Sequence, residues 1–80
     1  MNREHLKEHL TALGVNASAY SLNGGLPNEQ YVLSKEPSGQ WAVYYSERGQ
    51  KTGLSFFDSE TAACEFFLDK ITHDPNIRLK

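Results

Sequence analysis

His5 and His9 stand four residues apart, the separation that lets two imidazoles on one helix face reach a single metal ion. A zinc centre needs at least a third ligand, and His73, near the other end of the chain, is the only further histidine. The run His5-Leu6-Lys7-Glu8-His9 also carries leucine where the zinc-protease motif places its glutamate. No metal is expected. Cys64 is the only cysteine, which excludes an internal disulfide and a cysteine-rich zinc site. A reactive thiol wants a partly exposed, electropositive setting with a base at hand. Cys64 instead falls on the apolar stripe of a helix among acids that would raise its pKa, so it reads as a core residue. Asn23-Gly24-Gly25 lacks the Lys-Ser/Thr that a phosphate-binding loop requires and reads as a turn. Neither a Ser-His-acid order nor a paired-carboxylate motif stands out. The expectation is a non-enzymatic protein without a cofactor.

The carboxylates are more informative. Asp58, Glu60, Glu65, Asp69 and Asp74 lie close together, with Lys70 the only lysine or arginine among them. Such a segment repels phosphate and attracts a basic surface. Glu65 and Asp69 fall four residues apart on the outward face of a helix, a like-charge pair that costs about 0.2–0.5 kcal/mol. Phe66 sits beside them at the margin of the buried stripe, and an aromatic anchor amid acids fits a site for a basic partner. The same pattern also describes an ordinary solvated helix face. Glu47 and Arg48 mark the tip of a hairpin, where they either flank a contact or solubilise a turn. Tyr44 is the one large ring expected on the outer face of the sheet. Tyr44, Glu47, Arg48, Glu65, Phe66 and Asp69 are therefore the candidate partner-binding residues.

A chain of 80 residues supports one core, so residues 1–80 are read as a single domain. Nine aromatic residues supply the bulk for that core without covalent staples. The formal net charge is −2, and the lysines and arginines are scattered rather than clustered into the basic stripe that nucleic acid demands. Charges punctuate the first twenty residues, so neither a signal peptide nor a membrane span is read there. With a lone thiol, a cytoplasmic location is expected.

Periodicity sets out the elements that must position these residues. A helix is expected from Asn2 to Leu13, with Leu6, Leu10 and Leu13 on one stripe, Asn2 as N-cap and Gly14 just past its end. Tyr20 and Leu22 suggest a short strand before a loop marked by Asn23-Gly24-Gly25 and Pro27. Strands follow at Glu29–Lys35, Gln40–Glu47 and Lys51–Phe57. A three-residue loop at 37–39 sets Leu33 opposite Val43 and Tyr31 opposite Tyr45. A two-residue turn at Arg48-Gly49 sets Val43 opposite Leu54 and Trp41 opposite Phe56, all on one face. The other face then shows Val32, Ala42, Tyr44, Ser46 and Ser55, mostly small or polar. A last helix starts at Asp58 or Ser59, buries Ala63, Cys64, Phe67 and Ile71, and stops at Thr72 or His73 before Pro75. The tail 76–80 alternates apolar and charged residues and reads as an edge strand or a frayed end. The sum is an α+β domain of order α-β-β-β-α, an antiparallel sheet of three to four strands with both helices on one face.

The run Tyr44-Tyr45-Ser46-Glu47-Arg48-Gly49, preceded by Gly39-x-Trp41-x-Val43, resembles small bacterial immunity proteins. The likeness continues through Phe57-Asp58-Ser59-Glu60 and Ala63-Cys64-Glu65-Phe66-Phe67, and upstream through Gly24-Gly25-x-Pro27-x-x-x-Tyr31-x-Leu33. It implies an antitoxin that neutralises the cognate toxin domain of a polymorphic or contact-dependent growth inhibition system. The toxin would be a basic nuclease, covered stoichiometrically at or near its substrate cleft. The resemblance carries no interface residues, and the matched rings and glycines also serve as core and turns. A different reading, a double-stranded-RNA-binding module, shares the element order. It meets Asp58-Ser59-Glu60 where such domains start their last helix with bases. A homo-oligomer built on Tyr44 and the outer sheet face is a further alternative.

Overall fold

Asn2 begins the first helix as expected, its side-chain oxygen accepting the His5 N–H at 2.9 Å. The computed structural model describes residues 1–77. Helix α1 spans Arg3–Ala12 and ends on Leu13 and Gly14. Gly14 takes φ +80°, which lets the Gly14 N–H reach the Thr11 carbonyl and the Val15 N–H reach that of Leu10. This closure redirects the chain, so Val15 is buried while Leu13 is 36% exposed. The expected stripe thus keeps Leu6 and Leu10 and loses Leu13 to the cap.

A turn of 3-10 helix (Ala17–Ala19) leads into β1 (Tyr20–Ser21), followed by β2 (Gln30–Lys35), β3 (Trp41–Glu47), β4 (Gln50–Phe57) and α2 (Glu60–Thr72). The class is α+β, and the sheet order is β1-β2-β3-β4. Ser59 caps α2 by accepting the Ala62 N–H at 3.1 Å, and His73 closes its far end. Ile77 turns back through a bond to the Asp74 carbonyl and packs on the core. The rest of the tail alternation, 78–80, lies outside the described residues.

The sheet is mixed rather than antiparallel throughout, because β1 runs parallel to β2. The cause is the connection between them. After β1 the chain continues alongside β2, the Gly24 N–H bonding the Leu33 carbonyl at 3.0 Å. It then returns across the outer face instead of making a hairpin. The Gly25 carbonyl accepts the Tyr44 hydroxyl of the central strand at 2.7 Å, and the Asn28 side chain accepts the Arg48 N–H at 3.4 Å. Residues 24–28 thus form a strap over Val32, Ala42 and Tyr44, a small second core.

The β2–β3 register is the expected one, with Leu33 opposite Val43 and Tyr31 opposite Tyr45. In β3–β4 the two-residue turn at Arg48 (φ +51°) and Gly49 (φ +76°) also forms. Past Tyr45–Thr52 the pairing slips by one residue at a bulge, where Gly53 adopts φ +66°. Val43 then faces Ser55 and Trp41 faces Phe57, so the expected Val43–Leu54 and Trp41–Phe56 pairs do not form. One inserted residue exchanges the faces of everything beyond it. Phe57 joins the main core, and Leu54 and Phe56 turn outward at 43% and 53% exposure. The outer face is accordingly more apolar than the alternation predicted.

Both helices pack on the inner face. Leu6 and Leu10 of α1 and Ala63, Cys64, Phe67 and Ile71 of α2 meet Leu33, Trp41 and Val43. Burying a side chain such as Phe67 removes apolar area worth about 2–3 kcal/mol. No helix among the described residues is long and apolar enough to cross a membrane.

Candidate functional site

The inner face is not covered along its whole length. Where β2 begins and β3 ends, the Tyr31–Tyr45 cross-strand pair lies beside the C-terminal end of α2. The two rings meet edge-on with centroids 5.0 Å apart, and Tyr31 also sets its edge against Phe67 in the core, 6.4 Å between centroids. Because α2 stops at Thr72, Asp74 follows immediately and accepts the Tyr31 hydroxyl while its other oxygen takes the Asn76 N–H at 2.8 Å. Glu29 enters β2 with φ +56°, and Glu47 ends β3 on the same side. Glu29, Glu47 and Asp74, with Tyr31, Tyr45 and Thr52, enclose a cleft of about 680 Å³. A smaller hollow of about 180 Å³ adjoins it, between the bulge and α2, and brings in Gly53, Phe66 and Lys70.

The electrostatics of the cleft follow from these contacts. The bond donated by Tyr31, backed by the Asn76 N–H, holds the Asp74 carboxyl below the usual carboxylate range. Burial, then the bond to Asp74 and its charge, pushes the Tyr31 phenol well above its ordinary value. Burial first, and then Glu29, Glu47 and Asp74, pushes Tyr45 the same way. At neutral pH Asp74 is therefore ionised and both phenols keep their protons. The cleft offers acceptors and negative charge to a cation and holds no activated nucleophile. Among the described residues Arg3 pairs with Glu60 at 4.0 Å, and the His73 ring lies 3.3 Å from the Asp69 carboxylate. Neither involves Glu29, Glu47 or Asp74.

The six candidates from the sequence separate. Glu47 lines the cleft and Phe66 the adjoining hollow. Phe66 is half-buried, its ring tilted against Phe57 at 5.0 Å with the Lys70 ammonium 5.5 Å above it. Glu65 and Asp69 are exposed on α2, outside the residues that line either cavity. Arg48 is exposed at the hairpin tip. Tyr44 does not present its ring on the surface: it is 2% exposed beneath the strap, and the Lys51 ammonium lies 4.8 Å over it. The outer-face anchor expected there is corrected to a buried packing residue. Glu29, Tyr31, Tyr45 and Asp74 escaped the sequence reading as a group. The Tyr31–Tyr45 pairing was its one available signal, since nothing local places Asp74 against residues 29–47.

His5 and His9 are exposed on α1, and no three His, Cys, Asp or Glu side chains among the described residues gather as a metal site. Cys64 is fully buried, and burial, with Glu60 next, pushes its thiol up. Compared with protein-family models, with curated proteins and with solved structures, the chain finds no match in any of the three.

Proposed function

We propose that this chain is a binding protein that neutralises a positively charged protein partner, in the manner of a bacterial immunity protein acting on its cognate toxin in the cytoplasm. The observation that carries this reading is the cleft. Glu29 and Glu47 face it without a lysine or arginine against them among the described residues. A lysine or arginine of the partner entering the cleft would meet the carboxylates of Glu29, Glu47 and Asp74 and lie against the packed pair of tyrosine rings. The exposed Glu65 and Asp69 of α2 add negative potential that steers a basic surface toward the site and chiefly raises the association rate. A nuclease toxin, whose own cleft is basic in order to hold phosphates, is the partner class that this charge fits. Neutralisation is by cover, one chain per toxin domain, with no chemistry.

The test begins with the neighbouring genes: a basic toxin domain encoded there is the partner to be assayed, and the absence of one counts against the reading. The binding of that domain is measured by stopped-flow and by calorimetry against the wild type, Glu29→Gln/Glu47→Gln and Glu65→Lys/Asp69→Lys. The cleft variant is expected to lose about tenfold or more in affinity through faster dissociation, and the helix variant to associate more slowly with a weaker salt dependence. Absence of binding by the wild type, or full affinity in the cleft variant, rejects the proposal.

A further inference from the structure

Among the described residues β4 is the outermost strand of the sheet and pairs on one side only, with β3. The opposite edge, β1, has only two residues. Folded proteins usually blunt a free edge with charge, proline, a bulge or a covering segment. On β4 such devices, Lys51 and the Gly53 bulge, sit in its first half. The stretch Leu54–Phe57 carries neither charge nor proline, and its Leu54 and Phe56 side chains stand on the outer face about half exposed. The strap that covers Tyr44 bonds to β2 and β3 and to the hairpin tip, leaving Phe56 open.

We propose that β4 pairs antiparallel with β4 of a second copy of this chain about a twofold axis, extending one sheet through both copies. The distribution of charge selects this occupant. Lys51 lies near the start of β4 and Asp58 immediately follows its end. Antiparallel self-pairing about Ser55 sets Lys51 of each copy opposite Ser59 of the other, one residue from Asp58, so one axis makes two diagonal opposite-charge encounters. A parallel stack would set like against like, which is unfavourable across a strand pair. With the axis at Ser55, Leu54 of each copy lies beside Phe56 of the other on the same face. Each exposed apolar side chain then covers its counterpart, and the interface is isologous as a twofold requires. The Tyr31–Tyr45 cleft opens on the inner face and shares only Thr52 with β4, so the pairing of strand edges is a different contact from the binding proposed above.

Sedimentation equilibrium on the purified chain alone, from low micromolar to near-millimolar concentration, tests the inference. A species of twice the 9.0 kDa chain mass is expected to accumulate with concentration. Phe56→Lys, at a side chain 53% exposed and outside the main core, should raise the dimer dissociation constant about tenfold or more, with an unchanged circular dichroism spectrum confirming its fold. Lys51→Glu and Asp58→Lys should each weaken the dimer, and the doubly exchanged chain should recover it. A monomer at every concentration, a dimer indifferent to Phe56→Lys, or an exchanged chain no better than its single variants would each overturn the proposal.

Discussion

Gly24 is the point at which the strap leaves the edge of the sheet, and replacing it with alanine tests the described path of the strap. Two costs follow from its position. At φ +74° an alanine sits in the left-handed region, which costs about 1 kcal/mol. Its Cβ would also lie 2.9 Å from the Ser34 hydroxyl oxygen and 3.4 Å from the Ser34 Cβ. That hydroxyl cannot swing away freely, because it donates to the Glu36 carboxylate at 2.9 Å. Moving it sacrifices a bond worth about 1 kcal/mol or more, since its acceptor is charged. Gly24→Ala should therefore destabilise by about 2–3 kcal/mol. Gly39→Ala is the control: its φ is +92°, and its added Cβ meets nothing within 4 Å, so only the conformational cost remains. Trp41, the single tryptophan and 7% exposed, reports urea unfolding by fluorescence. With a slope of about 1 kcal/mol/M for a chain this small, the midpoint should fall by about 2–3 M for Gly24→Ala and about 1 M for Gly39→Ala. Ser34→Ala in the Gly24→Ala background removes the oxygen contact and should recover about 1 kcal/mol relative to additivity. Equal losses at the two glycines, or strict additivity with Ser34→Ala, would refute this account of how the strap seats on β2.

Two further perturbations probe the sheet and the cleft. Ser46 is fully buried on the outer face, and its hydroxyl finds no hydrogen-bond partner among the described residues; Ser46→Ala should leave stability unchanged or raise it by up to about 1 kcal/mol, and a thermal melt showing a clear loss would mean that the hydroxyl is bonded. Tyr31→Phe deletes the bond to Asp74, which should lower stability at pH 7 by about 1 kcal/mol, given the partial exposure of the pair. The carboxyl of Asp74 is held below its unfolded value, so the stability from this bond is fully present above about pH 4 and is lost as pH falls through the folded value. The gap between the urea midpoints of wild type and Tyr31→Phe seen at pH 7 should therefore narrow progressively as the pH is taken below the ordinary aspartate value; a gap that stays constant would show that Asp74 is not the acceptor that matters.

The sequence made helices and strands legible wherever local chemistry decides them. The Asn2 cap, the Gly14 closure, the Ser59 cap and the Arg48-Gly49 turn each rest on a side chain or a φ value that acts within a few residues. What escaped were consequences of a single residue acting at longer range. Gly53 supports strand pairing or a bulge equally well when read locally, and choosing the bulge reverses the faces of Leu54 and Phe56. The parallel placement of β1 depends on the strap crossing a sheet that the strap itself does not specify. The burial of Tyr44 follows from that crossing, so an alternation rule that places its ring on the outer face is right about the face and wrong about its exposure.

The same distinction governs the candidate site. The acidic run from Asp58 to Asp74 stands out in the sequence, but folding gives most of its carboxylates structural work. Asp58 accepts the Gln40 amide at 3.2 Å, Glu60 accepts the Arg3 backbone N–H at 3.0 Å and faces its guanidinium, Asp69 meets His73, and Asp74 ties Tyr31 to the end of α2. Of the five, Glu65 alone makes no such contact among the described residues. Carboxylates available to an incoming cation include Glu29 and Glu47, which lie outside that run and face the cleft because a left-handed residue opens β2 and a tight turn closes β3. Density of charge along the chain is thus a weak guide to where a partner binds. A carboxylate can contribute to recognition when the fold positions it and leaves it without a cation of its own, and this condition favours the cleft over the helix as the centre of the binding proposed above.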